Sequence, residues 1–503
     1  MKKLIKTAIA AAAAFTLTCS LFVSNAAAIA SSYTYSYDWW AEDRESPNAY
    51  VPANVYTGID FDTTNLKNPQ SIFTVDNNLY ICDTGNSRIL HLVYQPETDD
   101  FRLERTIDTL NGEGGEEKLS QPEDVFVKND GRLFICDTGN KRIVITDPEL
   151  NITQIVDKPE DNSIAKDADF LPARIVVDKA DRLYVQAKNV NKGLMEFDSE
   201  GIFTGYMGAN KVKVSMGEYL WKYFATDAQK SAMEQFVPTE YNNVTLDPKG
   251  FIYVTTSTFD EWELDQGDAV PIRRLNAMGS DILIRNGNYW PIGDLHWATA
   301  GGIGGSSRYV DVAVDDMDTY YCLDRVRGRI FAYDFQGNML YAFGGVGNKA
   351  GYFQYPTSIS LIGMDIFVLD YRLGTLTRFK PTEFGKDINK GLSLYMEGKY
   401  DESADNWRKV LKYNGNYDMA YIGIGRSLLR QGDYKGAMEY FELKYDAYNY
   451  SKAFQHYRKQ WFEDRMVIIV ALLLIAIIAP AIVSIVKAII KLRKGDNSWL
   501  SKN

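Results

Sequence analysis

Six polar residues occupy equivalent positions in six similar segments, and their side chains are of types that bind cations or polar ligands. Each is the third residue of a motif that begins with Pro or Tyr and continues into a strand-like run, as in Pro122-Glu123-Asp124-Val125. Two carboxylates, an amide and a guanidinium that converge on one axis could hold a divalent cation or a polar ligand. The alternative is a salt-bridged, hydrated channel entrance that binds nothing. The six residues are Ser71, Asp124, Arg174, Asn243, Asp311 and Ser358.

A second group of candidate binding residues is aromatic and lies in two long insertions, residues 259–270 and 285–308. Trp and Tyr side chains in loops suit contacts with a sugar or a peptide. Packing of the same side chains onto the fold is the alternative. The group contains Trp262, Tyr289, Trp290, His296 and Trp297.

Several other kinds of chemistry lack the residues they need. The three histidines, His91, His296 and His456, are dispersed, so we expect no His-rich zinc site. Neither a Ser-His-Asp pattern, a phosphate-binding loop nor a metal-spaced Cys pair is present. The net charge of −11 without a basic cluster argues against a nucleic-acid partner. We therefore expect no cofactor, unless the six polar residues bind Ca²⁺.

The elements that carry these residues follow from a nine-residue phrase that occurs twice. Residues 81–89 and 135–143 differ only at Ser87 and Lys141. Each copy is typical of a strand that ends in Asp, a Thr-Gly-Asn turn and a second strand that begins with Arg-Ile. A repeat of about 50 residues with strands on both sides predicts a β-propeller.

A strand-like segment precedes each copy of the phrase, and similar segments precede the degenerate copies elsewhere in the chain. Aligning these segments gives six units of four strands, which predicts a mainly β, six-bladed propeller. The sixth unit ends after its third strand, near Pro381. We expect residues 51–61 to supply the missing fourth strand, because such a closure joins the ends of the ring and removes an exposed sheet edge.

The units resemble NHL repeats, whose second strand ends in Asp-x-Gly-Asn-x-Arg-Ile. Units one and two match closely, unit five keeps Asp324, Arg329 and Ile330, and unit six keeps Asp370. The resemblance covers residues 50–381 and implies a fold, not an activity. We expect the Asp, Gly and Asn of the phrase to be structural, since they suit a tight turn. The acid-amide-acid set Asp124, Asn243 and Asp311 is similar to that of six-bladed lactonases.

The strand order predicts two different faces of the propeller. Turns between strands one and two, and between three and four, lie on one face, which we call the lower face. The other connections lie on the upper face, together with the mouth of the channel and the six polar residues. The long insertions, residues 207–240, 259–270 and 285–308, all fall on upper connections, which makes this the expected binding face.

The cysteines of the repeated phrase are predicted to be packing residues. Cys82 and Cys136 correspond to Leu323 and Leu369 in later units. Packed sheets lie about 10 Å apart, whereas a disulfide needs Cα atoms within about 7 Å, so we expect no bond between these two. Cys322 is expected on the opposite strand face.

The pattern becomes helical after Phe384. Gly391 and Trp407 recur 34 residues later as Gly425 and Phe441. This period resembles tetratricopeptide repeats, which implies stacked helix pairs that present a groove for partners. A rigid spacer is the alternative. A further helix, residues 450–465, is expected to continue into the next segment.

The two ends of the chain predict export and membrane anchoring. Lys2, Lys3 and Lys6 precede an apolar run and a stretch of small residues, as in a secretory signal peptide. Residues 466–486 carry no charge and would span about 31 Å as a helix, enough to cross a bilayer. The basic residues that follow predict a cytoplasmic C-terminus. The expected organisation is signal peptide (1–30), propeller (31–384), tetratricopeptide-like repeats (385–465), membrane span (466–490) and tail (491–503).

Together these features predict a single-pass protein of a bacterial cell surface, with the propeller outside the cytoplasm. We expect a binding or scaffold protein whose upper face takes a protein partner or a carbohydrate or peptide ligand. The helical repeats would dock a transporter or envelope complex in the membrane. The alternatives are a metal-dependent lactonase or hydrolase at the channel mouth and a purely structural scaffold.

Overall fold

The computed structural model describes residues 34–160, 169–188, 190, 192–208, 240–296 and 304–493. The chain forms a six-bladed β-propeller followed by five C-terminal helices, and the last of these is long and apolar. This confirms the predicted fold class. The predicted signal peptide, most of the insertion 207–240, Trp297 and the end of the tail lie outside the described residues.

The first three blades are regular four-stranded antiparallel sheets. Three strands precede them: β1 (Thr34–Tyr37), β2 (Asp43–Glu45) and β3 (Tyr50–Tyr56). Blade 1 consists of β4 (Ser71–Val75), β5 (Asn78–Asp83), β6 (Arg88–Gln95) and β7 (Asp100–Ile107), followed by a hairpin of β8 (Thr109–Gly112) and β9 (Gly115–Lys118). Blade 2 consists of β10 (Asp124–Val127), β11 (Leu133–Asp137), β12 (Arg142–Thr146) and β13 (Ile152–Val156). Blade 3 consists of β14 (Pro172–Val177), β15 (Leu183–Ala187), β16 (Leu194–Phe197) and β17 (Phe203–Met207).

The last three blades depart from this pattern. Blade 4 has three strands among the described residues, so the expected four strands per unit are not found there. Its strands are β18 (Asn243–Leu246), β19 (Ile252–Thr255) and β20 (Ile272–Leu275), with helix α1 (Glu261–Gln266) between the last two. Blade 5 contains β21 (Tyr309–Val314), β22 (Tyr320–Asp324), β23 (Arg329–Tyr333) and β24 (Met339–Gly344). Blade 6 contains β25 (Pro356–Ile362), β26 (Asp365–Asp370) and β27 (Thr375–Pro381).

The N-terminal strands complete blade 6 and extend blade 5. Strand β3 pairs with β27, with Tyr56 opposite Leu376, and so closes the ring where the sequence predicted it. Strand β1 pairs with β24 and β2 pairs with β1, which extends blade 5 to six strands. This extension was not predicted. It lays the segment before the first blade along the outside of the propeller.

The repeated phrase holds its own hairpin together through its buried Asp and joins adjacent blades through its Thr. The Asp83 carboxylate accepts hydrogen bonds from the backbone N–H of Lys67 at 2.7 Å, the Asn86 amide at 2.8 Å and the Arg88 guanidinium at 2.7 Å. Thr84 donates a hydrogen bond to the carbonyl of Pro122 in blade 2, and Thr138 donates one to the carbonyl of Pro172 in blade 3. Because these groups join adjacent blades, their role is structural.

The three cysteines of the propeller are free and buried. Cys82 packs with Val125 and Ile135, whereas Cys136 packs with Val185 and Ile175 in the next interface. Cys322 packs in a different cluster, beside Tyr320 and Phe331. Burial raises the thiol pKa of all three cysteines above the ordinary value. They behave as packing residues rather than reactive thiols.

The C-terminal helices share one hydrophobic core with blades 5 and 6. They are α2 (Glu383–Met396), α3 (Tyr400–Tyr413), α4 (Asp418–Gln431), α5 (Tyr434–Leu443) and α6 (Ala447–Arg493). Phe384, Trp407 and Ile424 lie in the same buried cluster as Tyr341 and Phe343 of β24. The Tyr417 hydroxyl donates a hydrogen bond of 2.7 Å to the carbonyl of Leu340. The helices are therefore packed against the propeller and not merely tethered to it.

Helix α6 leaves this body and runs on without interruption. Its first turns pack on α5 through Ala453, while residues from Phe454 onward are largely exposed. The helix is long and apolar enough to cross a membrane. Pro480 lies inside the apolar part, and Ser484 donates a hydrogen bond of 2.8 Å to the Pro480 carbonyl.

Candidate functional site

The six polar residues predicted to converge do line one cavity, which occupies the channel and has a volume of about 860 Å³. Each stands at or near the start of the innermost strand of its blade, so together they form a ring at the upper end of the channel. We call Ser71, Asp124, Arg174, Asn243, Asp311 and Ser358 the channel ring. Below the ring the wall continues past Phe73, Phe126 and Thr245 to the lower turns.

One half of the channel ring is organised by Asp311 of blade 5. Its carboxylate accepts hydrogen bonds from the Asn243 amide of blade 4 and from the Ser358 hydroxyl of blade 6, the latter at 2.7 Å. It also accepts the backbone N–H groups of Val312 and Ile359, both at 2.7 Å. A single buried carboxylate thus connects three blades.

The other half is organised by Arg174 of blade 3. Its guanidinium donates hydrogen bonds to the carbonyls of Ala173 at 2.7 Å and of Gln70 in blade 1 at 3.1 Å. Asp124 of blade 2 lies between these blades and accepts the backbone N–H of Ile175 at 2.9 Å. Arg174 also donates a hydrogen bond of 3.4 Å to the carbonyl of Glu123, next to Asp124, so like Asp311 it connects three blades.

Burial dominates the electrostatics of the two acids. Removal from water raises the pKa of Asp311 to about 6, against the lowering effect of its hydrogen bonds with Ser358 and Ile359. Burial also raises the pKa of Asp124, and the nearby charge of Arg174 partly offsets this increase. Within the described part of the chain, no group of three or more His, Cys, Asp or Glu side chains is placed to hold a metal ion.

The loop aromatic residues lie elsewhere, and none of those described is in the wall of the channel cavity. Trp262 lies on α1 and is exposed. The Tyr289 hydroxyl donates a hydrogen bond of 2.6 Å to the carbonyl of Trp39. His296 is 2.9 Å from the carbonyl oxygen of Ala41. The insertion 285–308 thus contacts the segment between β1 and β2 rather than the channel ring. The backbone N–H of Asn286 donates a hydrogen bond of 2.8 Å to the carbonyl of Gln336 in the lower turn between β23 and β24, so the start of this insertion does not lie on the upper face as predicted.

A second cavity, of about 330 Å³, lies where this insertion, the N-terminal segment and the helices meet. We call it the junction cavity. Its wall includes the predicted residues Tyr289 and Trp290, together with Trp39, Asp418 and Tyr448, which were not predicted. The consecutive pair Trp39-Trp40 was the available sequence signal, since the chain has only nine tryptophans.

Comparisons with known proteins add structural neighbours without close sequence similarity. No protein-family model matches the chain, and no curated protein matches it. Virginiamycin B lyase from Staphylococcus aureus is 11% identical, with a TM-score of 0.35 over 66% of this chain and 88% of that one. A streptogramin B lyase is 9% identical, with a TM-score of 0.37 over 67% of this chain and 100% of the other. A Bacteroides thetaiotaomicron protein of unknown function is 9% identical, with a TM-score of 0.38 over 69% and 75%. At these values the similarities carry no argument about function.

Proposed function

We propose that this protein is a single-pass, membrane-anchored scaffold that presents the upper face of its propeller to a protein partner. The shared core of propeller and helices is the observation that carries the proposal. A propeller on a flexible tether could face any direction, whereas one packed on helices α2 to α4, which lead through α5 to the apolar helix α6, keeps a fixed orientation.

The contacts at this junction are those of a rigid body. Arg426 of α4 and Asp334 of the turn between β23 and β24 form a buried ion pair of 2.8 Å. Asn389 of α2 donates a hydrogen bond of 3.2 Å to the hydroxyl of Tyr50 in β3. Removing one partner of a buried ion pair leaves an uncompensated charge, so such contacts resist separation.

We infer that the blades are NHL repeats and the helix pairs tetratricopeptide repeats. The Asp83 contacts recur around Asp137, whose carboxylate accepts the Ser120 backbone N–H and the Arg142 guanidinium. In the helices, a side chain at Gly391 would meet Trp407, and one at Gly425 would meet Phe441. The same close contact between glycine and aromatic ring, 34 residues apart, supports a true repeat.

The orientation relative to the membrane is part of the proposal. A cleaved signal peptide would export the propeller, and the basic residues Lys487, Lys491 and Arg493 after the apolar span favour a cytoplasmic C-terminus. Strand β27 runs toward the lower face, where α2 begins, so the upper face would point away from the bilayer. The stalk helices would then be the part nearest to a transporter or envelope complex.

The competing hypothesis is a metal-dependent lactonase or hydrolase at the channel ring. The scaffold is favoured because both oxygens of Asp311 already accept hydrogen bonds within the ring. Binding Ca²⁺ there would require breaking contacts that hold three blades together. No cofactor and no nucleic-acid partner are part of the proposal.

Photo-crosslinking in cells tests the scaffold directly. A photoreactive amino acid replaces Gln121, an exposed residue on an upper connection, in the full-length protein. The matched control carries it at Asn129, an exposed residue of a lower turn of the same blade. We expect a discrete crosslinked protein from position 121 and none from position 129.

The opposite pattern, or the absence of crosslinks from further upper-face positions such as Lys67 and Lys188, would contradict the proposal. A second readout concerns topology. With Thr98→Cys, an exposed position of blade 1, an impermeant maleimide should label intact cells. With Ser501→Cys, labelling should require permeabilised cells.

A further inference from the structure

The junction cavity combines exposed aromatic rings with amide side chains in a way that the channel ring does not. Its wall is built by five segments: residues 37–39, 286–295, 333–339, 418–422 at the start of α4, and 444–448 at the start of α6. From these features we propose that the junction cavity is a binding site for a short neutral saccharide of one or two sugar units.

The aromatic side chains supply the apolar surface that a sugar ring needs. Trp39 is 37% exposed, Trp290 46% and Tyr448 47%. Trp39 packs beside Tyr445, with ring centroids 6.1 Å apart, and the Lys452 ammonium lies 4.1 Å from the Tyr448 ring, so Trp290 offers the most accessible ring. Within the described residues, the indole N–H groups of Trp39 and Trp290 donate no hydrogen bond. Aromatic faces pack against the C–H surfaces of sugars, and free indole N–H groups can donate to hydroxyl groups.

The polar side chains of the wall suit hydroxyl groups rather than ions. Asn286 and Asn288 contribute amides, which both donate and accept hydrogen bonds, and Asn288 already donates one of 3.2 Å to the carbonyl of Trp39.

The carboxylates of the wall disfavour an anionic ligand. Asp38 pairs with Arg44 at 2.7 Å and Asp418 pairs with Lys444 at 2.7 Å. Asp446 accepts hydrogen bonds from Asn449 and forms no ion pair within the described residues. Carboxylates can also accept hydrogen bonds from the hydroxyl groups of a neutral sugar.

Two other ligand classes fit the cavity less well. A peptide added as an extra strand would need an accessible sheet edge, and the nearby edge strand β2 consists of the exposed charged residues Asp43, Arg44 and Glu45. Charged edge strands discourage such pairing. A lipid tail would exclude water from the amides and carboxylates of the wall without offering them hydrogen bonds, which costs free energy. The volume of about 330 Å³ falls at the lower end of ordinary ligand pockets, as expected for one or two sugar units.

The scaffold proposal and the saccharide site are independent, because the cavity wall includes the helices and a lower turn of blade 5 but none of the channel-ring residues. The test uses the full-length protein in lipid nanodiscs, titrated calorimetrically with cellobiose, maltose, lactose and N,N′-diacetylchitobiose. We expect at least one of them to bind with a Kd of about 1 mM or tighter.

Substitutions then locate the binding. Trp290→Ala should weaken binding about tenfold or more, which corresponds to about 1.4 kcal/mol. Trp262→Ala, which removes an exposed tryptophan outside the cavity, should leave the Kd unchanged. Asn286→Ala is a second, milder variant that keeps the test valid if Trp290→Ala lowers the Tm. Failure of all four sugars to bind, or binding that neither cavity variant weakens, would overturn the proposal, whatever the crosslinking experiment gives.

Discussion

The channel ring and the junction cavity both contain polar side chains, but only the junction cavity also contains partly exposed aromatic rings. In the channel ring, Asp311 and Arg174 bond to groups on neighbouring blades and are buried. In the junction cavity, Trp39 and Trp290 keep much of their surface exposed. Convergence of polar residues at a channel mouth is therefore not sufficient for a ligand-binding site. What matters is whether the groups remain available to a ligand.

The largest effect is expected from Arg426→Ala, which breaks the ion pair that positions α4, a wall of the junction cavity. Arg426 is 6% exposed and Asp334 is fully buried. Removing one partner of such a pair should lower the free energy of unfolding by about 3–5 kcal/mol. Chemical denaturation of the full-length protein measures this change. Because α4 also carries Asp418, the same variant should weaken saccharide binding.

Arg430→Ala is the matched control on the same helix. Arg430 donates a hydrogen bond of 3.2 Å to the Tyr395 hydroxyl in an exposed position, so its loss should change the free energy of unfolding by less than about 1 kcal/mol. Equal effects of the two substitutions would mean that the buried pair does not hold the junction.

A second large effect is expected from Asp311→Ala in the channel ring. The substitution leaves Asn243, Ser358 and two backbone N–H groups without their acceptor, which should cost about 3 kcal/mol of unfolding free energy. Asp316→Ala, at an exposed lower turn, is the control and should be nearly neutral. Unlike Arg426→Ala, the ring variant should leave saccharide binding unchanged under conditions where it is folded. Loss of binding would contradict the separation of the two regions.

Much of the propeller could be predicted because its signals are local. The Asp-Thr-Gly-Asn phrase sets strand order, and strand order identified the channel ring, the closing strand β3 and the buried cysteines. The hydrogen bonds of Asp311 could not be read from the sequence, since they join residues in three blades. The docking of β1 onto blade 5 was missed for a similar reason: Thr34 and Phe343, which pair there, are far apart in the chain. The junction cavity depends on that docking and on helix packing, so it was missed as well.

A smaller effect concerns pH and the lower part of the channel. Burial raises the pKa of Asp315 to about 6, whereas an unfolded Asp titrates near 4. Between pH 4 and pH 6 the Asp315 carboxyl is protonated in the folded protein but ionised in the unfolded chain. The free energy of unfolding therefore falls as pH rises from about 4 to about 6. We expect a loss of about 2 kcal/mol from this group.

Asp315→Asn isolates that contribution. The amide oxygen can still accept the backbone N–H groups of Met317 and Thr319, so the turn should be kept. Relative to the variant, the wild type should lose about 2 kcal/mol of unfolding free energy between pH 4 and pH 6.5. A difference that is constant with pH would show that Asp315 titrates normally in the folded protein.

The smallest expected effect is that of Ca²⁺ on the channel ring, where we predict no change. Calcium needs six or more oxygen ligands, and both oxygens of Asp311 are engaged by neighbouring blades. Calorimetric titration should give no binding heat, and the Tm should not shift. A rise in Tm that Asp124→Ala or Asn243→Ala abolishes would instead revive the hydrolase hypothesis, because a ligand stabilises the folded state only if it binds there. Such a result would also mean that the channel ring, like the junction cavity, has side chains available to a ligand, because the bound ion would replace hydrogen bonds between the blades.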